Sequence, residues 1–204
     1  MSDTWTLVRD ERAALVEDLS DLDARQWDVQ SLCGDWTVRD VAAHLVDNAR
    51  TTPLRLVLAM ARARFDFDRQ NAMGVARELG DSPGATLEGL RGVVARRTGP
   101  PAPTDSRLVE EVVHGEDIRR PLGLTRAYAV EAVERSLRYQ ARTSVAMGGG
   151  RQRIAGVCLR ATDADITIGQ GLEVSGSALS LLLMTSGRSL ARDDLRGPGL
   201  ARLG

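Results

Sequence analysis

The order of apolar and polar residues along the chain changes in character at about residue 124. In the first segment, Leu7, Leu15 and Leu19 recur at the spacing of one helix face, with Ala14 and Leu22 beside them. The stretches that follow, up to about residue 123, show similar helical spacing, interrupted by the proline-rich connector "PPAP". The pattern therefore predicts a block of helices over residues 1–123.

The second of these helices has a clearly marked start. Thr37 and Asp40 have the spacing of a capping box, in which each side chain accepts a hydrogen bond from the other residue's backbone N–H. Trp36 and Val41 flank the start at the positions of a hydrophobic staple. We therefore expect a helix that begins at Thr37 and carries His44 beside its apolar stripe.

Residues after 124 predict a smaller mixed block. A long helical segment ends at "GGG", residues 148–150, and alternating apolar and polar residues follow up to Val174. The turn signals "TDAD" and "GQG" divide the alternating stretch into three strands, which we interpret as an antiparallel meander, closed by the helix "SALSLLLMTSGR". The fold class predicted is α+β, with a helical domain over residues 1–123 and a small α+β domain over residues 124–204.

Composition narrows the function classes. The net charge is −1, which offers no electrostatic case for nucleic acid or an anionic membrane as partner. All 27 basic residues are arginine, a bias typical of a GC-rich genome. The start of the chain has no apolar signal core, and Cys33 and Cys158 do not form a disulfide framework, so we expect a cytoplasmic protein.

Three residues form the candidate site. Glu110 and His114 are four residues apart, so they project from the same helix face and can bind one ion together. His44 is a candidate for the third ligand. Three protein ligands and one open position are typical of a catalytic zinc site. The ordinary alternative is a pair of half-buried, hydrogen-bonded histidines, and Cys33 is an alternative soft ligand that we expect to pack as a small residue.

Neighbouring acidic residues bear on the same site. Glu111 faces about 100° away from Glu110 on a helix, so it is the weaker ligand candidate. Asp117 and Glu116 follow His114 within a turn or two, and they either orient its imidazole or pair with the nearby arginines. For Glu116 we favour an ion pair with a nearby arginine.

The segments "SLCGDWTVRDVAAHLVD" and "EEVVHGEDIRRPLG" together resemble the two signature segments of the mycothiol-dependent maleylpyruvate isomerase family. The resemblance implies a DinB-like four-helix bundle followed by a small domain related to sterol-carrier folds. It also implies that His44, Glu110 and His114 bind a divalent metal, with zinc as first choice and nickel, cobalt or iron as alternatives. Mycothiol would bind as a thiolate on or near that metal.

The resemblance implies a metal-dependent, mycothiol-using enzyme, either an isomerase or an S-transferase, that acts on a small electrophilic substrate. The alternative is a non-catalytic metal- or ligand-binding protein of the same fold. Arg188 is nominated as a catalytic residue that meets a substrate carboxylate, with a helix C-terminal charge as the competing interpretation. The expected partners are the substrate and a low-molecular-weight thiol, and a homodimer is among the oligomeric states allowed.

Overall fold

The structure is a computed structural model that describes residues 2–203. The α-helices in this range are α1 (Thr4–Ser20), α2 (Ala24–Trp27), α3 (Val38–Arg50), α4 (Pro53–Arg62), α5 (Phe67–Glu78), α6 (Pro83–Arg91), α7 (Asp105–Arg119), α8 (Val130–Arg142) and α9 (Ala178–Thr185). The strands are β1 (Val157–Ala161), β2 (Thr167–Gly169) and β3 (Leu172–Gly176). Short 3-10 helices span Val145–Met147, Ser189–Asp194 and Pro198–Arg202. The predicted α+β class is confirmed.

The described chain divides into two compact units. The first comprises Asp3–Ala127, and the second runs from Tyr128 onward together with Ser2. The first unit holds helices α1–α7, and the second holds α8, the three strands and α9. The assignment of residues 1–123 and 124–204 to separate domains stays a prediction.

Four helices of the first unit form a bundle. Helix α1 packs against α6 and α7, and α3 packs against the same two helices, so the four contact one another in a ring. Helix α5 adds to the outside of this ring through its contact with α3. The apolar side chains that fill the interior include residues predicted from the helical spacing, namely Leu15, Leu19, Val38, Val41, Ala42, Leu45 and Val46. Their removal from water supplies the main drive for the bundle to form.

The sheet of the second unit differs from the predicted meander. Strand β1 pairs antiparallel with β2 on one edge and parallel with β3 on the other, so the sheet is mixed in the order β2-β1-β3. The connection from β2 to β3 crosses beneath the start of β1 at Gly171. This residue has a φ of +125° and lies so close to the Gly156 carbonyl that no side chain would fit there. Alternating residues reveal which face of a strand is buried but not which edge is paired, and this explains the wrong strand orientation.

Within residues 2–203, the helices are each too short or too polar to cross a lipid bilayer.

Candidate metal centre

The direction of His44 is set at the start of α3. The Thr37 side chain accepts a hydrogen bond from the Asp40 N–H at 3.2 Å, and Asp40 Oδ2 accepts one from the Thr37 N–H at 2.9 Å. The predicted capping box is therefore confirmed. His44 lies seven residues after the cap and is 9% exposed, within the helix face that packs into the bundle.

Glu110 and His114 reach the same place from α7. The helix packs against α3, and Glu110 Oε2 lies 3.4 Å from His44 Nε2 and 3.5 Å from His114 Nε2. The two imidazole rings are 5.0 Å apart between centroids, at 75° to each other. The structure thus brings together the three residues nominated from the sequence.

The spacing of these atoms suits one small divalent ion. Zn–N and Zn–O bonds of about 2.0–2.1 Å in a tetrahedron place neighbouring ligand atoms about 3.3–3.4 Å apart. The two measured distances from Glu110 Oε2, 3.4 and 3.5 Å, are close to that value. Two imidazole nitrogens and one carboxylate oxygen are also a donor set that zinc accepts, as do nickel, cobalt and iron. The residues present therefore fit a divalent metal.

Asp117 holds the His114 ring in place. Its Oδ2 lies 2.9 Å from His114 Nδ1, and the Asp117 side chain is fully buried. A carboxylate at Nδ1 keeps the proton on that nitrogen and leaves Nε2 free to bind a metal. Glu116 instead accepts from Nε of Arg120 at 2.9 Å, which is the pairing favoured from the sequence.

The charges at the site stabilise one another in the metal-free protein. Burial raises the pKa of Glu110, but hydrogen bonds from His114 and His44 outweigh it and bring this pKa well below its ordinary value. Burial lowers the pKa of His114, yet hydrogen bonds to Asp117, Cys33 and Glu110 raise it well above its ordinary value. These contacts therefore favour the charged forms of Glu110 and His114 relative to the free side chains.

Two other residues considered as ligands have different surroundings. Glu111 Oε1 accepts from Nε of buried Arg12 at 2.7 Å, while burial raises the pKa of Glu111. Cys33 packs against the bundle core and also lies within 4.8 Å of ligand atoms of His114 and Asp117. Glu111 is thus committed to an ion pair, whereas Cys33 remains a neighbour of the site.

Arg188 lies in the second unit, after the end of α9. Its Nη1 donates to the Ser186 carbonyl at 2.8 Å, and Ser186 follows the last residue of that helix. This contact is what the competing interpretation, a cation at a helix C-terminus, predicts. A catalytic role for Arg188 stays a prediction.

Trp36 is a neighbour of the site that the sequence did not reveal. The sequence placed it in a staple at the helix start, but its ring also packs against His44, with centroids 5.0 Å apart and planes tilted by 47°. His44 Nδ1 is buried and has no hydrogen-bond partner among residues 2–203. The indole therefore supplies an apolar wall beside this imidazole, and the contact depends on how the loop before α3 folds back.

The fold and part of the sequence are similar to those of known proteins. Over 96% of this chain and 91% of the other, the fold is similar to a crystal structure of mycothiol-dependent maleylpyruvate isomerase, with a TM-score of 0.64 and 17% sequence identity. A histidine-to-alanine mutant of that isomerase is similar over the same shares, with a TM-score of 0.60 and 16% identity. A search of curated proteins gave no match. Residues 8–133 match the family model described as the mycothiol maleylpyruvate isomerase N-terminal domain, and the chain belongs to that family.

Proposed function

We propose that the protein is a metal-dependent enzyme that uses mycothiol to act on a small electrophilic substrate, either as an isomerase or as an S-transferase. The observation that carries the proposal is the convergence of His44, Glu110 and His114 on one point between α3 and α7. Membership of the mycothiol maleylpyruvate isomerase family supports the thiol cofactor.

His44, Glu110 and His114 would hold the metal, with zinc as the first choice. A bound divalent ion lowers the pKa of a coordinated thiol and so supplies a nucleophile at neutral pH. Asp117 keeps the proton of His114 on Nδ1, and Glu110 contributes the negative charge that partly neutralises the ion. Trp36 and the bundle core restrict water on the His44 side of the site.

The two reactions differ in the fate of the thiol adduct. In an isomerase the thiolate adds to an activated double bond, rotation follows about the resulting single bond, and the thiolate leaves again. In an S-transferase the adduct is the product. The ligand residues have the same task in both, because each reaction begins with a thiolate of lowered pKa. We place the enzyme in the cytoplasm, with the thiol and the substrate as its partners.

The test begins with the metal content of the purified protein. Wild type is expected to hold about one divalent ion per chain, and a His44→Ala, His114→Ala variant close to none. Glu110→Gln should also lose metal, whereas Glu116→Gln, the same substitution on the same helix, should keep it. Equal metal in wild type and the double histidine variant contradicts the proposed site.

The second step separates an enzyme from a binding protein. Cobalt-substituted protein titrated with mycothiol should show a thiolate-to-cobalt charge-transfer band, and turnover of an electrophile should depend on the thiol. Metal binding without any thiol effect favours the alternative, a non-catalytic metal-binding protein of the same fold. A Cys33→Ser variant serves as a further control, since loss of metal in that variant would point to the cluster of Cys33, His114 and Asp117 instead.

A further inference from the structure

The glycine run at residues 148–150 lets the chain turn back against the end of α8. The Arg151 N–H donates to the carbonyl of Thr143, the residue after the last one of α8, at 3.0 Å. A Cβ at Gly149 would collide with the same carbonyl, so glycine is needed for this close approach. The run therefore does more than end a helix, because it brings Arg151 back to the last turn of α8.

Arg151 shares one cavity with two arginines of α8. Arg138 and Arg142 are four residues apart, so they project from the same face of the helix. The cavity has a volume of about 450 Å³, and all its lining residues belong to the second unit. Strand β2 and the turn after it form the opposite wall. A space of this volume is within the range of small-molecule sites.

The cavity carries positive charge in excess. Glu134 accepts from Arg138 Nε at 2.9 Å and so neutralises that guanidinium. Arg142 and Arg151 have no ion pair and no side-chain hydrogen bond within residues 2–203, and none of the described lining residues is acidic. Of the three positive charges at the cavity, the two on Arg142 and Arg151 therefore have no counter-charge in the described chain.

A phosphoryl group matches this excess. A phosphate monoester carries a charge of about −1.5 to −2 at pH 7 and offers three acceptor oxygens, which guanidinium groups bind in bidentate fashion. The side chains of Thr167 and Gln170 also line the cavity, and they form no hydrogen bond within the described residues, so they are available as further donors. A carboxylate carries a single charge and would leave one arginine uncompensated.

Another part of the cavity lining is apolar. Ile154 and Val157 are buried, and Ile168 is half-buried on the edge strand β2. An apolar or aromatic group attached to the phosphate would cover these side chains and leave water on binding. The lining therefore favours an organic phosphate over the inorganic ion.

We propose that this cavity binds a small organic phosphate, with Arg142 and Arg151 on the phosphoryl group and Ile154, Val157 and Ile168 against its apolar part. The site goes beyond the proposed function, because it shares no residue with the metal ligands and belongs to the other unit. The competing interpretation is that both arginines are only solvated, with Arg142 at the negative end of α8.

The experiment is a nuclear magnetic resonance titration of the full chain with phenyl phosphate, inorganic phosphate and phenol in separate series. Saturable shifts are expected for the amides of Gly156, Gly169 and Gln170, which line the cavity. Phenyl phosphate should bind about fivefold or more tightly than inorganic phosphate, because the ring covers the apolar lining. The series is repeated in the His44→Ala, His114→Ala variant, in which phosphate has no metal centre to bind.

Substitutions test the charged and apolar parts separately. Arg142→Gln, Arg151→Gln should weaken phenyl phosphate binding about tenfold or more, because the variant removes the whole excess charge. Ile168→Thr should reduce the preference for phenyl phosphate and leave the affinity for inorganic phosphate within about twofold. The matched control is Arg160→Gln on β1, an exposed arginine outside the cavity, which should change either affinity by less than about twofold.

The outcomes also separate this site from the metal centre. Cavity shifts that persist in the folded His44→Ala, His114→Ala variant support the proposal, whether or not the wild type holds a metal. Equal affinity in wild type and the double arginine variant, shifts confined to residues around His44 and His114, or no saturable shift with either phosphate overturns it. The wild-type shift map needs no substitution, so a variant that fails to fold leaves the test intact.

Discussion

Oδ2 of Asp117 lies 2.9 Å from Nδ1 of His114, and this contact determines which nitrogen of the imidazole faces Glu110. Nε2, the other ring nitrogen, lies 3.5 Å from Glu110 Oε2. A fixed proton at Nδ1 leaves Nε2 as the lone-pair donor, so a fully buried carboxylate prepares the ring to act as a ligand.

Asp117→Asn is therefore expected to weaken metal binding by about 10- to 100-fold. The amide is nearly the same size but removes the negative charge that keeps the proton on His114 Nδ1. Competition with a chromogenic chelator measures the affinity, and Glu116→Gln is the matched control on α7. Equal metal affinity in wild type and Asp117→Asn would show that the contact does not orient the ligand.

In the metal-free protein, Glu110 and His114 together should contribute most to the free energy of unfolding between about pH 4.5 and 6.5. The folded-state pKa of His114 lies above the ordinary 6.5, so its contribution is complete below pH 6.5 and is lost as pH rises through the folded-state pKa. The folded-state pKa of Glu110 lies below the ordinary 4.5, so its contribution is present above pH 4.5 and lost as pH falls. Urea unfolding across this range in the presence of a chelator measures the effect.

His114→Gln should flatten the alkaline side of that profile and also weaken the acid side, because His114 is one of the groups that lower the pKa of Glu110. A bound metal should instead raise the free energy of unfolding on the alkaline side, because it binds the deprotonated imidazole. The affinity of the protein for the metal should therefore rise with pH. If the loss of stability at alkaline pH is the same in wild type and His114→Gln, a group other than His114 causes it.

Removal of Arg12 should be costly because the residue is 1% exposed and paired with buried Glu111. Arg12→Met leaves the Glu111 charge and the Val93 and Arg96 carbonyls without their donor, so we expect a loss of about 3–5 kcal/mol in the free energy of unfolding. Arg9→Met, an exposed arginine on the same helix, should cost less than about 1 kcal/mol. Similar urea midpoints for the two variants would contradict this difference.

Gly171 and Gly148 offer a comparison of two glycines with positive φ. Replacement by alanine at either position places a side chain in an unfavourable backbone region, at a cost of about 1–2 kcal/mol. At Gly171 the new Cβ also meets the Gly156 carbonyl, while nothing lies within 4 Å of a Cβ at Gly148. Thermal unfolding should therefore show a clearly larger loss for Gly171→Ala, and equal losses would argue against the crossing beneath β1.

Features that depend on near neighbours in sequence were predictable. The capping box at Thr37 and Asp40 and the shared face of Glu110 and His114 each follow from a spacing of three or four residues on a helix. The Asp117 contact with His114 has the same origin, since the two residues are three apart. Helical geometry alone brings such residues together, whatever the rest of the chain does.

Contacts across the fold were decided by tertiary packing. His44 meets Glu110 because α3 and α7 pack side by side, and the sequence supported this pairing through the place of His44 beside the apolar stripe and through the family resemblance. The cavity at Arg142 and Arg151 has no local signal, because its walls come from α8 and β2, which are distant in sequence. The position of β3 depends on the crossing at Gly171, because the alternation of side chains is the same whichever edge of β1 it joins.

The sequence by itself thus determined the helices, the start of α3 and the pair of ligands on α7, because these depend on periodicity and short-range hydrogen bonds. The tertiary structure decided the third ligand, the cavity at Arg142 and Arg151 and the mixed sheet. These depend on which surfaces pack together, and packing is a property of the whole apolar core rather than of any one segment.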